Sequence, residues 1–218
     1  MTRTCPGRRL SKSVVFLILA ALAVTASGVG ADINLVLNPG FENPQTNTRS
    51  VGTGDLANWS AGSAMLIHDT WTPHSGTQSL SLNAYSPGWI SQDLVTVAGG
   101  TYDLSFFMSG DFVTGGTART LEVFWGGASR GTVVFTRPSD WATNNMGWTL
   151  QSGGVLSGLT ASGPSTELKF VSLAPDGFHY GPALDDISVT SSVPEPASAS
   201  LLLLALPGLA WLRLRRRA

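Results

Sequence analysis

The chain has 218 residues, with 13 lysines and arginines against 14 aspartates and glutamates and a formal net charge of −1. That balance hides an acidic middle, because residues 32–192 hold five basic and 13 acidic side chains, a charge of −8. Such a stretch has no electrostatic footprint for nucleic acid. The single cysteine, Cys5, leaves it without disulfides, thiolate nucleophiles or cysteine metal sites.

At the N-terminus Arg3, Arg8, Arg9 and Lys12 precede an apolar stretch over residues 14–24, and Val24-Thr25-Ala26 and Val29-Gly30-Ala31 follow as cleavage sites. Residues 1–31 read as a secretory signal peptide with a helical apolar region, removed on export together with Cys5. Arg8-Arg9 invites a twin-arginine reading, but the residues after it fit that motif poorly, and the general secretion route is favoured. The 161 residues from 32 to 192 are about the size of one domain.

A period of two runs through this domain. Ile33, Leu35 and Leu37 alternate with Asn34, Val36 and Asn38; Leu80 and Leu82 alternate with serines. Tyr102, Leu104, Phe106 and Met108 form one face of a long strand, Leu121, Val123 and Trp125 a second, and Leu168, Phe170 and Leu173 a third with one irregular step. Ile187 and Val189 close the series, and glycine pairs such as Gly99-Gly100, Gly126-Gly127 and Gly153-Gly154 punctuate it. Many short strands between such turns predict an all-β jelly-roll sandwich over 32–190, its first and last strands close together.

The order of blocks supports this. Asn38-Pro39-Gly40-Phe41-Glu42, Trp59, Ser75-Gly76-Thr77-Gln78-Ser79-Leu80, Ile90-Ser91-Gln92, Ala98-Gly99-Gly100-Thr101-Tyr102, Asn145-Met146-Gly147-Trp148 and Tyr180-Gly181-Pro182-Ala183-Leu184-Asp185-Asp186-Ile187 follow one another. The succession resembles the choice-of-anchor C family and related plant cell-wall domains of unknown function. More distantly it resembles galactose-binding-like jelly rolls and carbohydrate-binding modules. The resemblance covers nearly all of residues 33–190 and implies a sugar-binding activity.

Adjacent terminal strands bring Glu42 and Asp185-Asp186 together. Alternation with Ile187 and Val189 points Asp185 inward and Asp186 outward, and an inward carboxylate needs a partner. Calcium takes such oxygen ligands, and related jelly rolls resemble this arrangement, so Glu42 and Asp185 are expected to ligate a structural Ca²⁺. The alternative is that both cap backbone amides or pair with Arg119, Arg137 or Lys169. Among the tryptophans, Trp59, Trp125 and Trp148 sit in strand-like patterns and read as core. Trp71 and Trp89 lie in loop-like sequence and, with Tyr180, are the candidates for an exposed platform on which sugar rings stack, with core packing the alternative reading for each. Gly127-Ala128-Ser129-Arg130-Gly131 matches the G-x-S-x-G nucleophile pattern, but strand-like sequence follows it where the motif requires a helix. His68, His74 and His179 lack metal spacing.

After a linker at 191–198, the segment 199–218 carries a 14-residue apolar run, 199–212, interrupted by Pro207-Gly208 and closed by Arg213, Arg215, Arg216 and Arg217. As a helix the run reaches about 21 Å, short of the ~30 Å hydrocarbon core of a bilayer. The arginines place the preceding domain on the far side of the membrane. With Pro194-Glu195-Pro196 ahead of it, the tail resembles the PEP-CTERM sorting signal of Gram-negative bacteria that make exopolysaccharide. That resemblance implies an exosortase partner, transient inner-membrane anchoring, and delivery to the cell surface or outer matrix. The resulting expectation is a non-catalytic surface module that binds exopolysaccharide, with a self-associating structural matrix protein as the alternative.

Overall fold

Residues 33–45, 56–67, 70–84, 86–112, 116–174 and 181–192 are described by a computed structural model. They belong to the unit Asp32–Pro194. The signal helix, the sorting helix and the sorting-signal residues Pro194, Glu195, Pro196, Arg215, Arg216 and Arg217 lie outside the described residues, as does Tyr180. No helix among the described residues is long and apolar enough to cross a membrane.

Among the described residues the predicted alternation appears as eleven strands: β1 Ser60–Gly62, β2 Met65–Ile67, β3 Ser79–Ser81, β4 Trp89–Val95, β5 Thr101–Gly110, β6 Ala118–Trp125, β7 Ala128–Thr136, β8 Thr149–Gln151, β9 Leu159–Thr160, β10 Ser165–Ser172 and β11 Pro182–Ser191. One sheet has the order β1-β4-β10-β6-β7 and the other β2-β3-β11-β5-β8, with β9 on β5. Every pairing is antiparallel. The chain crosses between the sheets at most connections, which is the habit of a jelly roll. The β6–β7 hairpin turns on Gly126 and Gly127, both at positive φ (59° and 80°), as a two-residue turn of matching twist requires. Ser129 of the nucleophile-like match therefore lies on a strand, where its hydroxyl donates to Glu122.

The main core fills the space between the sheets. Leu104, Phe106 and Met108 from β5 meet Leu121 and Val123 from β6 and Leu168 and Phe170 from β10. Phe106 and Phe170 pack edge to face, ring centroids 5.1 Å apart. A second, smaller cluster lies on the outer side of the second sheet, where Met65, Ile67, Trp71, Ala84, Met146 and Ala183 pack together with Trp141 and Trp148. This cover explains why the serines of β3 are as buried as Leu80 between them.

Three expectations from periodicity are corrected. The N-terminal segment reaches β11 through Leu35 N–H to the Val189 carbonyl, but the buried residue is Val36, while Ile33 and Leu37 are 78% and 59% exposed. Asn34 sets this phase by taking the place of a strand neighbour: its amide donates to the Ile187 carbonyl and accepts from Val36 and Val189. Leu173 lies just past β10 and is exposed rather than core. In β11 the register with β5 shifts between Asp185 and Ser188, with Asp186 at φ 48°. That β-bulge breaks the alternation. Asp185 therefore shares a side with Ala183 of the second cluster, opposite the core residue Leu184. It is buried as expected, but beneath the segment 70–78 rather than between the sheets.

Candidate functional site

Glu42, Asp185 and Asp186 converge on the segment 74–78. Both oxygens of the buried Asp185 carboxylate accept backbone bonds: Oδ2 from the N–H groups of His74 (2.9 Å) and Ser75 (3.2 Å), Oδ1 from Asp186 (2.8 Å). Asp186 accepts from the Ser75 hydroxyl (2.7 Å) and faces His74 Nδ1 at 2.6 Å. Glu42 Oε1 accepts from the N–H groups of Thr77 and Gln78, and Oε2 from the Thr77 hydroxyl. Gly40 and Gly76 make this approach possible. A Cβ on Gly40 would meet Asp186 Oδ1 at 3.2 Å and Asp185 Oδ1 at 3.5 Å, and one on Gly76 would meet Glu42 Oε1 at 2.1 Å. Burial pushes the Asp185 carboxyl up to about 7; the N–H of Ser75 opposes that rise and the Asp186 carboxylate adds to it.

The cations weighed as partners for these acids are engaged elsewhere. Arg119 donates to the Asp111 carbonyl and lies over Phe112, Arg137 lies over Phe112 and Trp141, and the Lys169 ammonium sits 4.7 Å from the centre of the Trp89 ring. The acids cap backbone amides instead. Sequence reading missed their cradle of His74, Ser75, Thr77 and Gln78; the block Ser75-Gly76-Thr77-Gln78 was a signal, but nothing local tied it to residues more than a hundred positions away.

On the outer side of the first sheet the described residues place no comparable apolar cover. Trp89, Ser91 and Asp93 of β4 point to this side, because Ile90 and Leu94 between and beyond them are core. Glu167 and Lys169 of β10 do likewise, alternating with Leu168 and Phe170. An open groove of about 600 Å³ lies here, lined by Leu37, Leu56, Asn58, Ser60, Asp93 and Glu167 among others. Asp93 and Glu167 are direct cross-strand partners on its floor. Gln92 ties its walls together, donating to the carbonyls of Leu37 and Asn58 and accepting from Leu37 N–H. No motif announced this groove, since its residues come from four separate stretches of chain.

The predicted aromatic platform is not assembled as expected. Trp71 is 5% exposed, packs in the second cluster, and donates its indole N–H to Ser79 Oγ at 2.8 Å. Its loop-like sequence belongs to a covering segment whose ring points down onto the sheet. Trp89 opens β4 rather than lying in a loop and is half-buried. Its indole lies against Gly62, where a Cβ would stand 2.5 Å from Nε1. Trp89 shares the groove's side of the sheet, roughly 13 Å along β4 from Asp93 at two residues per step. Trp59 and Trp125 are core, while Trp148 is half-buried and donates to the Thr72 carbonyl.

No family model matches the chain. It is 27% identical over 199 residues to halomucin of Haloquadratum walsbyi, a match that covers 82% of this chain and 2% of halomucin. The chain thus spans about one-fiftieth of that relative's length. Among solved structures, a cyclase from Fischerella sp. TAU is similar over 76% of this chain and 100% of its own, with a TM-score of 0.53 at 12% identity. A family 61 carbohydrate-binding module in complex with β-1,4-galactotriose is similar over 73% of this chain and 99% of its own, with a TM-score of 0.49 at 16% identity. At these identities the likeness to the cyclase is one of fold.

Proposed function

We propose that the domain is a non-catalytic carbohydrate-binding module and that the groove and Trp89 form its binding face. The observation that carries this reading is the groove on the outer side of the first sheet, where the exposed side chain of Leu37 and polar groups from Ser60, Asn58, Asp93 and Glu167 line one open channel. A sugar presents C–H surface and hydroxyl groups together, and a site for it combines apolar contact with a few fixed donors and acceptors. The half-buried indole of Trp89, on the same side, offers for stacking the ring surface that Gly62 and Lys169 leave uncovered. A domain charge of −8 favours a neutral polymer over an anionic one. The placement of Ser129 on an exposed hairpin strand speaks against a serine nucleophile there.

The same proposal places the protein outside the cell, at the surface or in the outer matrix of a Gram-negative bacterium. The basic and apolar N-terminal segment and the Pro-Glu-Pro tail support it, the latter as a substrate of an exosortase. We propose further that Glu42 and Asp185 hold a structural Ca²⁺. The proposal rests on a buried carboxylate that meets no lysine or arginine among the described residues, with a second acid on the same segment; an ion there would displace some of the amide and hydroxyl bonds that these oxygens accept. Among the described residues no three His, Cys, Asp or Glu side chains form a metal cluster, so the remaining ligands would be backbone carbonyls and water.

Affinity electrophoresis of the protein through gels containing neutral polysaccharides tests the binding reading. Retardation by at least one neutral polymer, reduced about tenfold in affinity by Glu167→Gln or Trp89→Ala with the melting temperature retained, is expected. Free migration in every gel, or release of reducing sugar, would refute a non-catalytic binding module.

A further inference from the structure

We propose that the free edge of β7 is a self-association surface, on which a second copy of this chain pairs its own β7 antiparallel about a twofold axis at Val134. β7 ends the first sheet and pairs only with β6 among the described residues. The phase of its hydrogen bonds is fixed at both neighbouring ladders. Arg137 N–H donates to the Thr117 carbonyl, so Phe135 and Val133 turn their backbone groups toward β6. Leu173 N–H donates to the Thr120 carbonyl, so Thr120, opposite Val134, is committed to the other side. The N–H and C=O groups of Thr132, Val134 and Thr136 therefore point outward along the open edge.

The sequence of that edge is complementary to itself. Only residues with outward groups can form hydrogen-bonded pairs, and a twofold axis at Val134 meets the condition. It sets Val134 against Val134, Thr132 against Thr136, and Val133 against Phe135. Thr–Thr and β-branched–aromatic pairs are favourable cross-strand combinations. Residues 131–136 hold no charge and no proline, two of the devices that keep edges apart; the β-bulge at Arg130, where the register with β6 shifts, lies just outside the stretch. Arg130 and Arg137, which flank the stretch, fall opposite Pro138 and Gly131 of the second copy, so like charges are not set against each other. Arg137 is also drawn back over Phe112 and Trp141. Val134 is 52% exposed, on the outer side of the sheet. At the other end of the strand Val155 sits against Gly131, which confines the open edge to Thr132–Thr136. Pairing would join two five-stranded sheets into one of ten.

Oxidative crosslinking of the full chain tests the register, in a Cys5→Ser background. Across a hydrogen-bonded pair the Cα atoms stand about 5.5 Å apart, within reach of a disulfide. Val134→Cys is expected to form a covalent dimer at least about tenfold faster than Thr132→Cys or Thr136→Cys alone, whose equivalent positions lie roughly 13 Å apart across the axis. A mixture of the Thr132→Cys and Thr136→Cys chains should crosslink like Val134→Cys. No dimer from Val134→Cys, or equal rates for all three single variants, would overturn the proposal. The outcome is independent of sugar binding, which uses the opposite end of the sheet.

Discussion

A carboxyl group shut away from solvent titrates according to its surroundings, and Asp185 is surrounded by three backbone N–H groups and the Asp186 carboxylate. Its folded-state value of about 7 lies above the unfolded 3.8, so between those values the folded protein binds the extra proton. Stability contributed by this group therefore falls as pH rises from about 4 to 7, and the loss is complete above 7. In chelator, the melting temperature is predicted to fall by several degrees between pH 5 and pH 8, and Asp185→Asn is predicted to flatten that slope. Added Ca²⁺ should restore the loss at pH 8 in the parent protein and leave Asp185→Asn unchanged. A flat parental profile would show that the carboxyl is not proton-linked. Trp71 supplies a second test at this scale. As a core ring with a satisfied indole N–H, its replacement by alanine should cost about 3–5 kcal/mol in denaturant unfolding. A cost below about 1 kcal/mol would mean the ring is exposed after all.

Among the elements, those with unbroken alternation were legible in the sequence. β5 and β6 bury the residues that a period of two assigns to them, and Gly126-Gly127 marks their neighbouring hairpin. Legibility failed where a side chain or a bulge changes the phase. Asn34 substitutes for a ladder partner and turns Val36 inward; the bulge at Asp186 moves Asp185 to the other side of β11. Neither event leaves a compositional trace. Trp71 reads as exposed for a related reason: a polar segment with threonines, a proline and a glycine and no apolar alternation reads as a loop, whereas residues 70–78 lie down on the second sheet as its cover. The acids at Glu42 and Asp185 were legible because the N-terminal segment is expected beside the last strand, and it does lie there, though not as a strand itself, with Leu35 N–H on the Val189 carbonyl and Ile187 N–H on the Pro39 carbonyl. Their cradle depends on Gly76, at φ 61° and in contact with Glu42. Gly76→Ala is predicted to displace that carboxylate from Thr77 and Gln78 and to lower stability by roughly 2 kcal/mol or more. Unchanged unfolding would show that the Glu42 bonds carry no weight.

At the scale of the whole molecule, the two sheets differ in how they meet solvent. The second is roofed by its own chain, with Trp71 and Met146 beneath the cover. The first leaves Trp89, Asp93, Glu167 and Lys169 on its outer side, with the groove at one end and the free edge of β7 at the other. A binding module displayed in a matrix can use both, one for polymer and one for its own copies. Because the proposed ligand is neutral, retention should change by less than about twofold between 0.05 and 0.5 M salt, where screening would weaken a charged ligand severalfold. The most direct measurement is amide chemical-shift mapping with a neutral oligosaccharide drawn from whichever polymer retains the protein. Shifts concentrated at Ser60, Ser91, Asp93, Glu167 and Lys169 are predicted. Shifts confined to residues 70–78 or 141–148, or no shifts at saturating sugar, would contradict the assignment of the groove as the binding face.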